Sequence, residues 1–225
     1  LKLPSNAIAR TYGDGFYCKS GYEKTGLSCI DKLNAEDVYK KAQTAYEDKD
    51  YQTAFKEFTV LAKTGNEKAQ NYLAYMYDMG NGVTQDYKQA VSWYRKAANQ
   101  GYSTAQVNLG YMYEQGRGVT EDYKLAVSWY RKAANQGNSR GQTNLGYMYR
   151  KGRGVIQDDK LAVSWYRKAA NQGYSTAQGY LGYMYDKGHG VTEDDKLAVS
   201  WYRKAANQGN STAQSNLGDM YRKGY

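Results

Sequence analysis

The chain has 225 residues, 31 Lys and Arg against 22 Asp and Glu, a formal net charge of +9, and one proline, Pro4. No stretch approaches the ~18–20 apolar residues of a membrane-spanning helix, so a helical membrane protein is excluded and a soluble chain is expected. With proline confined to position 4, nothing interrupts long runs of helix.

The chain begins at Leu1 with neither an initiator methionine nor an apolar leader. It reads as a mature or trimmed chain with any targeting signal out of view. Residues 1–33 are short, turn-rich and spotted with aromatics, without helical period. They hold both cysteines, Cys18 and Cys29, in a Gly- and Tyr-rich loop. Cysteine arithmetic favours a disulfide staple formed in an oxidising compartment; the competing reading is a reduced thiol pair in a cytosolic protein. Metal binding would need two further Cys or His ligands, and the one histidine, His189, is far along the chain. No metal and no cofactor are expected.

From Asn34 the pattern turns helical, with Asn34 as the expected N-cap and acidic residues in the first turn. A second helix starting at Tyr51 stops at Gly65, and the pair resembles a tetratricopeptide unit. Beyond it, KLAVSWYRKAANQG occurs unchanged at Lys124–Gly137, Lys160–Gly173 and Lys196–Gly209, and with one change (Gln89) at Lys88–Gly101. Trp93, Trp129, Trp165 and Trp201 are thereby spaced 36 residues apart. A fixed period of this size marks a solenoid built from one repeated supersecondary unit.

Each unit reads as helix A (Ser103–Gly116 in the second copy), a G-x-G loop, and helix B (Tyr123–Gln136) starting near Thr120 or Asp122. At 100° per residue, Ala105, Leu109, Met112 and Tyr113 share one face of helix A, with Gly110 at its margin. Leu125, Ala126, Trp129, Tyr130, Ala133 and Ala134 form the apolar arc of helix B, with Trp129 expected to fill the core. A last helix A, Ser211–Lys223, has no helix B after it, and Asp219 there and Glu57 at the other edge are polar, as terminal positions facing solvent require.

The run A-Q-x-N-L-G-x-M-Y-x-x-G-x-G-V followed by D-x-K-L-A-V-S-W-Y-R-K-A-A-N-Q-G resembles the Sel-1-like repeat (SLR). It stands at Ala105–Gly137, Gly141–Gly173 and Ala177–Gly209, and more loosely at Ala69–Gly101. The resemblance implies an all-α fold: a right-handed α/α superhelix of about five helix pairs, helix A on its concave side, plus a C-terminal capping helix and the small disulfide-stapled N-terminal segment. The divisions expected are residues 1–33, a first helix pair at 34–65, and repeats at 66–101, 102–137, 138–173 and 174–209 with a terminal helix at 210–225. The resemblance also implies a non-enzymatic adaptor for protein assemblies, and a periplasmic or secreted bacterial setting. Some members carry a disulfide in each repeat and have been discussed as β-lactam-binding; no repeat here contains cysteine, so that activity is not carried over. The pattern P-S-N-A…C-K-S-G-Y…G-L-S-C further resembles a small cysteine-pair module found beside such repeats in exported bacterial proteins.

Two surfaces stand out. On helix A, away from the core, run Asn71, Val107, Thr143, Gly179 and Ser215; the tyrosines Tyr75, Tyr111, Tyr147 and Tyr183; and Asp78, Glu114, Arg150, Asp186 and Arg222. A tyrosine row in a concave groove suits recognition of a protein or peptide, with Asn108, Glu114, Arg150 and Asp186 setting specificity. Lateral packing between neighbouring A helices is the alternative for the same tyrosines. On helix B, Arg95, Lys96, Arg131, Lys132, Arg167, Lys168, Arg203 and Lys204 form a basic ridge. It reads either as a solvated structural face or as a site for a polyanion or cell-surface glycan. Nucleic acid is not the expected partner, because no RNA- or DNA-binding motif accompanies the charge. No nucleophile–base set is recognisable, His189 reads as a loop variant, and a cell-wall or β-lactam hydrolase is the least supported rival.

Overall fold

The computed structural model describes residues 7–8, 17–18, 22–25 and 28–225, with side chains from residue 35 onward. In the N-terminal segment β1 (Ala7–Ile8) pairs antiparallel with β2 (Tyr17–Cys18), and β3 (Tyr22–Thr25) with β4 (Ser28–Asp31), whose register sets Lys24 opposite Cys29. The all-α reading therefore holds for the repeats but not for this segment, where short runs find ladder partners instead of helical ones. The side chains of Cys18 and Cys29, and with them the disulfide reading, lie outside the described part.

Eleven helices follow among the described residues. They are α1 (Lys32–Glu47), α2 (Tyr51–Lys63), α3 (Glu67–Met79), α4 (Tyr87–Asn99), α5 (Ser103–Gln115), α6 (Tyr123–Asn135), α7 (Ser139–Lys151), α8 (Asp159–Asn171), α9 (Ser175–Asp186), α10 (Asp195–Ala206) and α11 (Ser211–Arg222). The chain divides into two compact units, Leu1–Tyr102 and Ser103–Tyr225. Within each, every helix packs on the next in sequence, the arrangement of an α/α solenoid. Because α1 begins at Lys32, Asn34 lies inside its first turn and is not its cap.

The B-helix caps match the sequence reading. Asp86, Asp122, Asp158 and Asp194 sit in extended conformation and accept the first-turn N–H of Gln89, Leu125, Leu161 and Leu197 at 2.8–3.0 Å. At the far end of α7, Gly152 takes φ +64° and donates back to the Met148 carbonyl. Two residues on, Gly154 (φ +69°) lies so close to the preceding B helix that a Cβ would sit 2.4 Å from the Tyr123 carbonyl carbon. Gly154→Ala is expected to lower stability by at least ~1–2 kcal/mol from the left-handed backbone alone. Thermal denaturation reads this, and an unchanged midpoint would contradict the geometry.

Core packing departs from the wheel at the aromatics of helix B and at Leu125. Ala105, Leu109, Met112, Ala126, Ala133 and Ala134 are buried as expected, and so is Val127. The bulk at the centre, however, is tyrosine: Tyr94, Tyr130, Tyr166 and Tyr202 are fully enclosed. Gly110, Gly146 and Gly182 make room for the last three, since a Cβ on any of them would meet the facing ring at 2.7–2.9 Å. The tryptophans are half-buried instead. Trp165 packs back onto the cluster of α6 and α7, and Trp201 onto that of α8 and α9. Leu125 is 42% exposed. The apolar arc of helix B is too broad for periodicity to say which of its aromatics the glycines admit.

Candidate functional site

The basic ridge is held in place by the fold. All eight Arg and Lys residues of the ridge are exposed. Lys96, Lys132, Lys168 and Lys204 each fold over the tryptophan three residues earlier, 3.7–4.2 Å from the ring centroid. Arg131, Arg167 and Arg203 each donate to the hydroxyl of a tyrosine on the next A helix (Tyr149, Tyr185, Tyr221) at 2.9 Å. These contacts join one repeat to the next.

The A-helix side has a different character. In the second unit α7 packs on both α5 and α9, so the first of the three rows is largely interior: Val107 is 1% exposed and Thr143 2%. These positions are not open surface, because neighbouring A helices approach closely along that row. The tyrosine row is at the rim. Tyr75 and Tyr111 are each 38% exposed, and Tyr147 and Tyr183 half-buried. The middle residue of the G-x-G loop covers this row: Arg117 lies 5.4 Å from the Tyr111 ring, Arg153 5.7 Å from Tyr147, and His189 5.7 Å edge-on from Tyr183. His189 thus occupies a place its arginine counterparts fill, a role that its position within the loop motif signals.

Except at the terminal Arg222, the third row is buried or half-buried. Tyr130 donates to Glu114 at 2.6 Å, and Tyr202 donates to Asp186 at 3.4 Å. Burial, then the adjacent carboxylate, push both hydroxyls far above the ordinary tyrosine range, so they remain donors. Asn108 accepts from Arg140 on the following A helix. Of the sequence-predicted specificity residues, Asn108, Glu114 and Asp186 therefore have partners inside the unit.

Arg150 differs. It replaces the acid of the two flanking repeats, and its guanidinium lies 5.4–5.7 Å from the rings of Tyr147, Tyr180 and Tyr183. Beside it opens a cleft of about 330 Å³ lined by Arg150, Thr176, Gly179, Tyr180, Tyr183, Asn210, Thr212 and Asn216. Gly179 creates the space, standing in the row where Val107 and Thr143 fill it; from a Cβ placed there the nearest atoms are 3.9 Å away. This cleft brings together Arg150 and Tyr183 from the predicted set and adds Tyr180.

A second network lies beyond the reach of a helical wheel. Gln142 and Gln178, buried on helix A, each donate to the last-turn carbonyl of the preceding B helix (Ala134, Ala170) at 3.2 Å. The same side chains accept from Gln172 and Gln208 at the end of their own B helix at 2.8 Å. The one signal in the sequence is that these glutamines never vary between copies.

The 36-residue pattern, the helix pairing and the contacts between repeats agree with a family comparison. The Sel1 repeat model matches residues 67–102, 103–138, 139–174, 175–210 and 211–225. The chain belongs to the Sel1 repeat family. Among solved structures, a Sel1 repeat protein from Oxalobacter formigenes is 38% identical with a TM-score of 0.76, the match covering 83% of this chain and 74% of that one. A protective antigen of uropathogenic Escherichia coli with an SLR fold is 34% identical, TM-score 0.67, over 86% of this chain and 50% of its own length. Immunity protein Pa5087 of Pseudomonas aeruginosa is 25% identical, TM-score 0.58, over 84% and 70%. No curated protein matches. Among the described residues no Sel1 helix is long and apolar enough to cross a membrane, and none of their His, Cys, Asp and Glu side chains cluster for a metal ion.

Proposed function

We propose that this Sel1 repeat protein is a non-enzymatic scaffold, a right-handed superhelix that takes a protein or peptide partner on its A-helix face. The observation that carries this reading is the contrast between the two faces. The ridge on helix B spends its arginines and lysines on tyrosine hydroxyls and tryptophan rings, whereas the A-helix face keeps a tyrosine rim beside an open cleft. Tyrosine there offers large rigid contact area with one hydroxyl, and preorganised helices reduce the ordering cost of binding. Tyr75, Tyr111, Tyr147 and Tyr183 are the contact residues, with Asn108, Glu114, Arg150 and Asp186 tuning choice, the acids by holding neighbouring tyrosines in place. An extracytoplasmic bacterial setting, with residues 1–33 as a cysteine-paired segment, 34–65 as a first helix pair and the repeats from 66 onward, belongs to the same reading. The likeness to an immunity protein supports toxin neutralisation as one form of it.

The test is capture of the partner from the native envelope fraction with wild type and with Tyr111→Ala plus Tyr147→Ala. At least tenfold weaker capture is expected with helicity unchanged by circular dichroism. Equal capture would sink the reading. Binding that collapses on raising salt, yet survives the double substitution, would instead favour the polyanion ridge.

A further inference from the structure

We propose that the cleft between α7, α9 and α11 is a carboxylate-binding subsite in which Arg150 reads a single negative charge on the partner. The inference rests on the A-helix face being the binding side, and it names the chemistry recognised there.

Three differences from the adjoining copies converge on this cleft, with arginine recurring at Arg222 and tyrosine at Tyr72 in the equivalent positions at the two ends of the array. The acid found at Glu114 and Asp186 becomes Arg150, the asparagine found at Asn108, Asn144 and Asn216 becomes Tyr180, and the side chain of Val107 and Thr143 is deleted at Gly179. One change supplies a cation, one an aromatic wall and one the space. They meet because α7, α9 and α11 bring positions one repeat apart to the same place. Uniform repeats would have produced the filled packing seen around Val107.

The polar groups at the base are unsatisfied in a way that specifies a ligand. Arg150 Nε is buried and finds no hydrogen-bond partner among the described residues, and the Tyr166 hydroxyl meets the guanidinium but no acceptor for its own proton. Both are donors. In the neighbouring repeats the corresponding tyrosine hydroxyl donates to a carboxylate, of Glu114 or Asp186. What the third copy lacks is therefore an acceptor of that type. No carboxylate among the described residues lies within ion-pair distance of Arg150, the nearby Glu114 being paired with Arg153 at 3.9 Å.

A carboxylate fits the remaining chemistry. Its two oxygens match the forked donors of a guanidinium, and the tyrosine rings around Arg150 weaken water's competition for that pairing. Thr176, Thr212 and Asn216 line the walls with further donors. Arg150 is the one cation among the lining residues, which suits a monoanion better than a phosphate dianion. Such a group is offered by an acidic side chain or by a chain's C-terminus.

The full chain, labelled with ¹⁵N, is titrated at pH 7 and fixed ionic strength with N-acetyl-aspartyl amide, with N-acetylglycine, and with N-acetyl-asparaginyl amide as neutral isostere. Saturable shifts of the Arg150 Nε–H resonance and of the Gly179 and Asn216 amides are expected with a carboxylate probe and not with the isostere. The tighter of the two carboxylates identifies side chain or terminus as the source. Arg150→Glu should weaken the response tenfold or more while folding normally, since a carboxylate at this position is what the adjoining repeats already use. Gly179→Val, which fills the cleft but keeps the cation, should do the same. Absence of saturation, equal response to the neutral isostere, unchanged binding by both variants, or tenfold tighter binding of inorganic phosphate would each overturn the proposal. Loss of the partner in the Tyr111→Ala, Tyr147→Ala protein with an unresponsive Arg150 would sink this inference and leave the proposed function standing; the reverse pattern would do the opposite.

Discussion

Tyr130→Ala is expected to destabilise the second unit by about 3–5 kcal/mol, the range for removing a large aromatic from a packed core. The ring is fully enclosed, and Gly110 leaves just the space it occupies, so neither helix can collapse into the vacated volume without losing its other contacts. Trimming only the hydroxyl separates the polar part from the packing part. Tyr130→Phe removes the hydrogen bond of the half-buried Glu114, leaving it the Arg153 guanidinium at 3.9 Å, and a loss of about 1–3 kcal/mol is expected. Tyr166→Phe should cost less than Tyr130→Phe, because that hydroxyl meets the Arg150 guanidinium but has no acceptor for its proton. Urea unfolding of the three variants reads the series, and equal effects for the two phenylalanine variants would contradict the assigned hydrogen bonding. The sign with pH is also fixed. Burial and then Glu114 make the Tyr130 hydroxyl titrate higher in the folded state than in the unfolded chain, so its contribution is fully present below about pH 10 and is lost as pH rises beyond it.

The second large effect is expected at Gln142→Leu, at about 1–3 kcal/mol. Leucine preserves much of the volume but removes both partners at once. The Ala134 carbonyl at the end of α6 loses its side-chain donor and keeps the Gly137 N–H at 3.0 Å, and the Gln172 amide loses its short acceptor and keeps the Lys168 carbonyl at 3.5 Å. Gln214 is the internal control. It is exposed and makes only the bond to the Ala206 carbonyl, so Gln214→Leu should cost no more than about 1 kcal/mol. Comparable losses at the two positions would show that the buried bridge contributes nothing special.

Much of the fold is legible in the amino-acid pattern. The period sets the helix pairs, Asp122 and its equivalents announce the B-helix starts, and glycine after the last periodic residue announces the stops. The strand ladders escape because two- to four-residue strands carry no period. Tyr130 and Trp129 are indistinguishable as core residues because both lie in one arc, and only the missing side chain at Gly110, on another helix, decides between them. Gln142 escapes because a wheel sorts residues by polarity, and a polar residue that satisfies a helix end belongs inside. The site is half legible. Arg150 and Tyr183 stand out in the sequence, but the cleft depends on a deletion of bulk at Gly179 and an aromatic at Tyr180, and nothing in one-dimensional spacing says that these meet Arg150.

The backward-packed tryptophan has a consequence for how this chain can change length. Trp165 and Trp201 pack, under a lysine from their own helix, on core clusters that their repeat shares with the one before it, and the Gln bridges span the same seams at identical register within the second unit. An in-frame loss or gain of one 36-residue period would present the tryptophan and glutamine contacts of each seam with the residues they already use. Copy number is thus a nearly neutral variable for folding, while the cleft beside Arg150 depends on which neighbours remain in order. Recombination between such similar copies would leave the architecture intact and move the site.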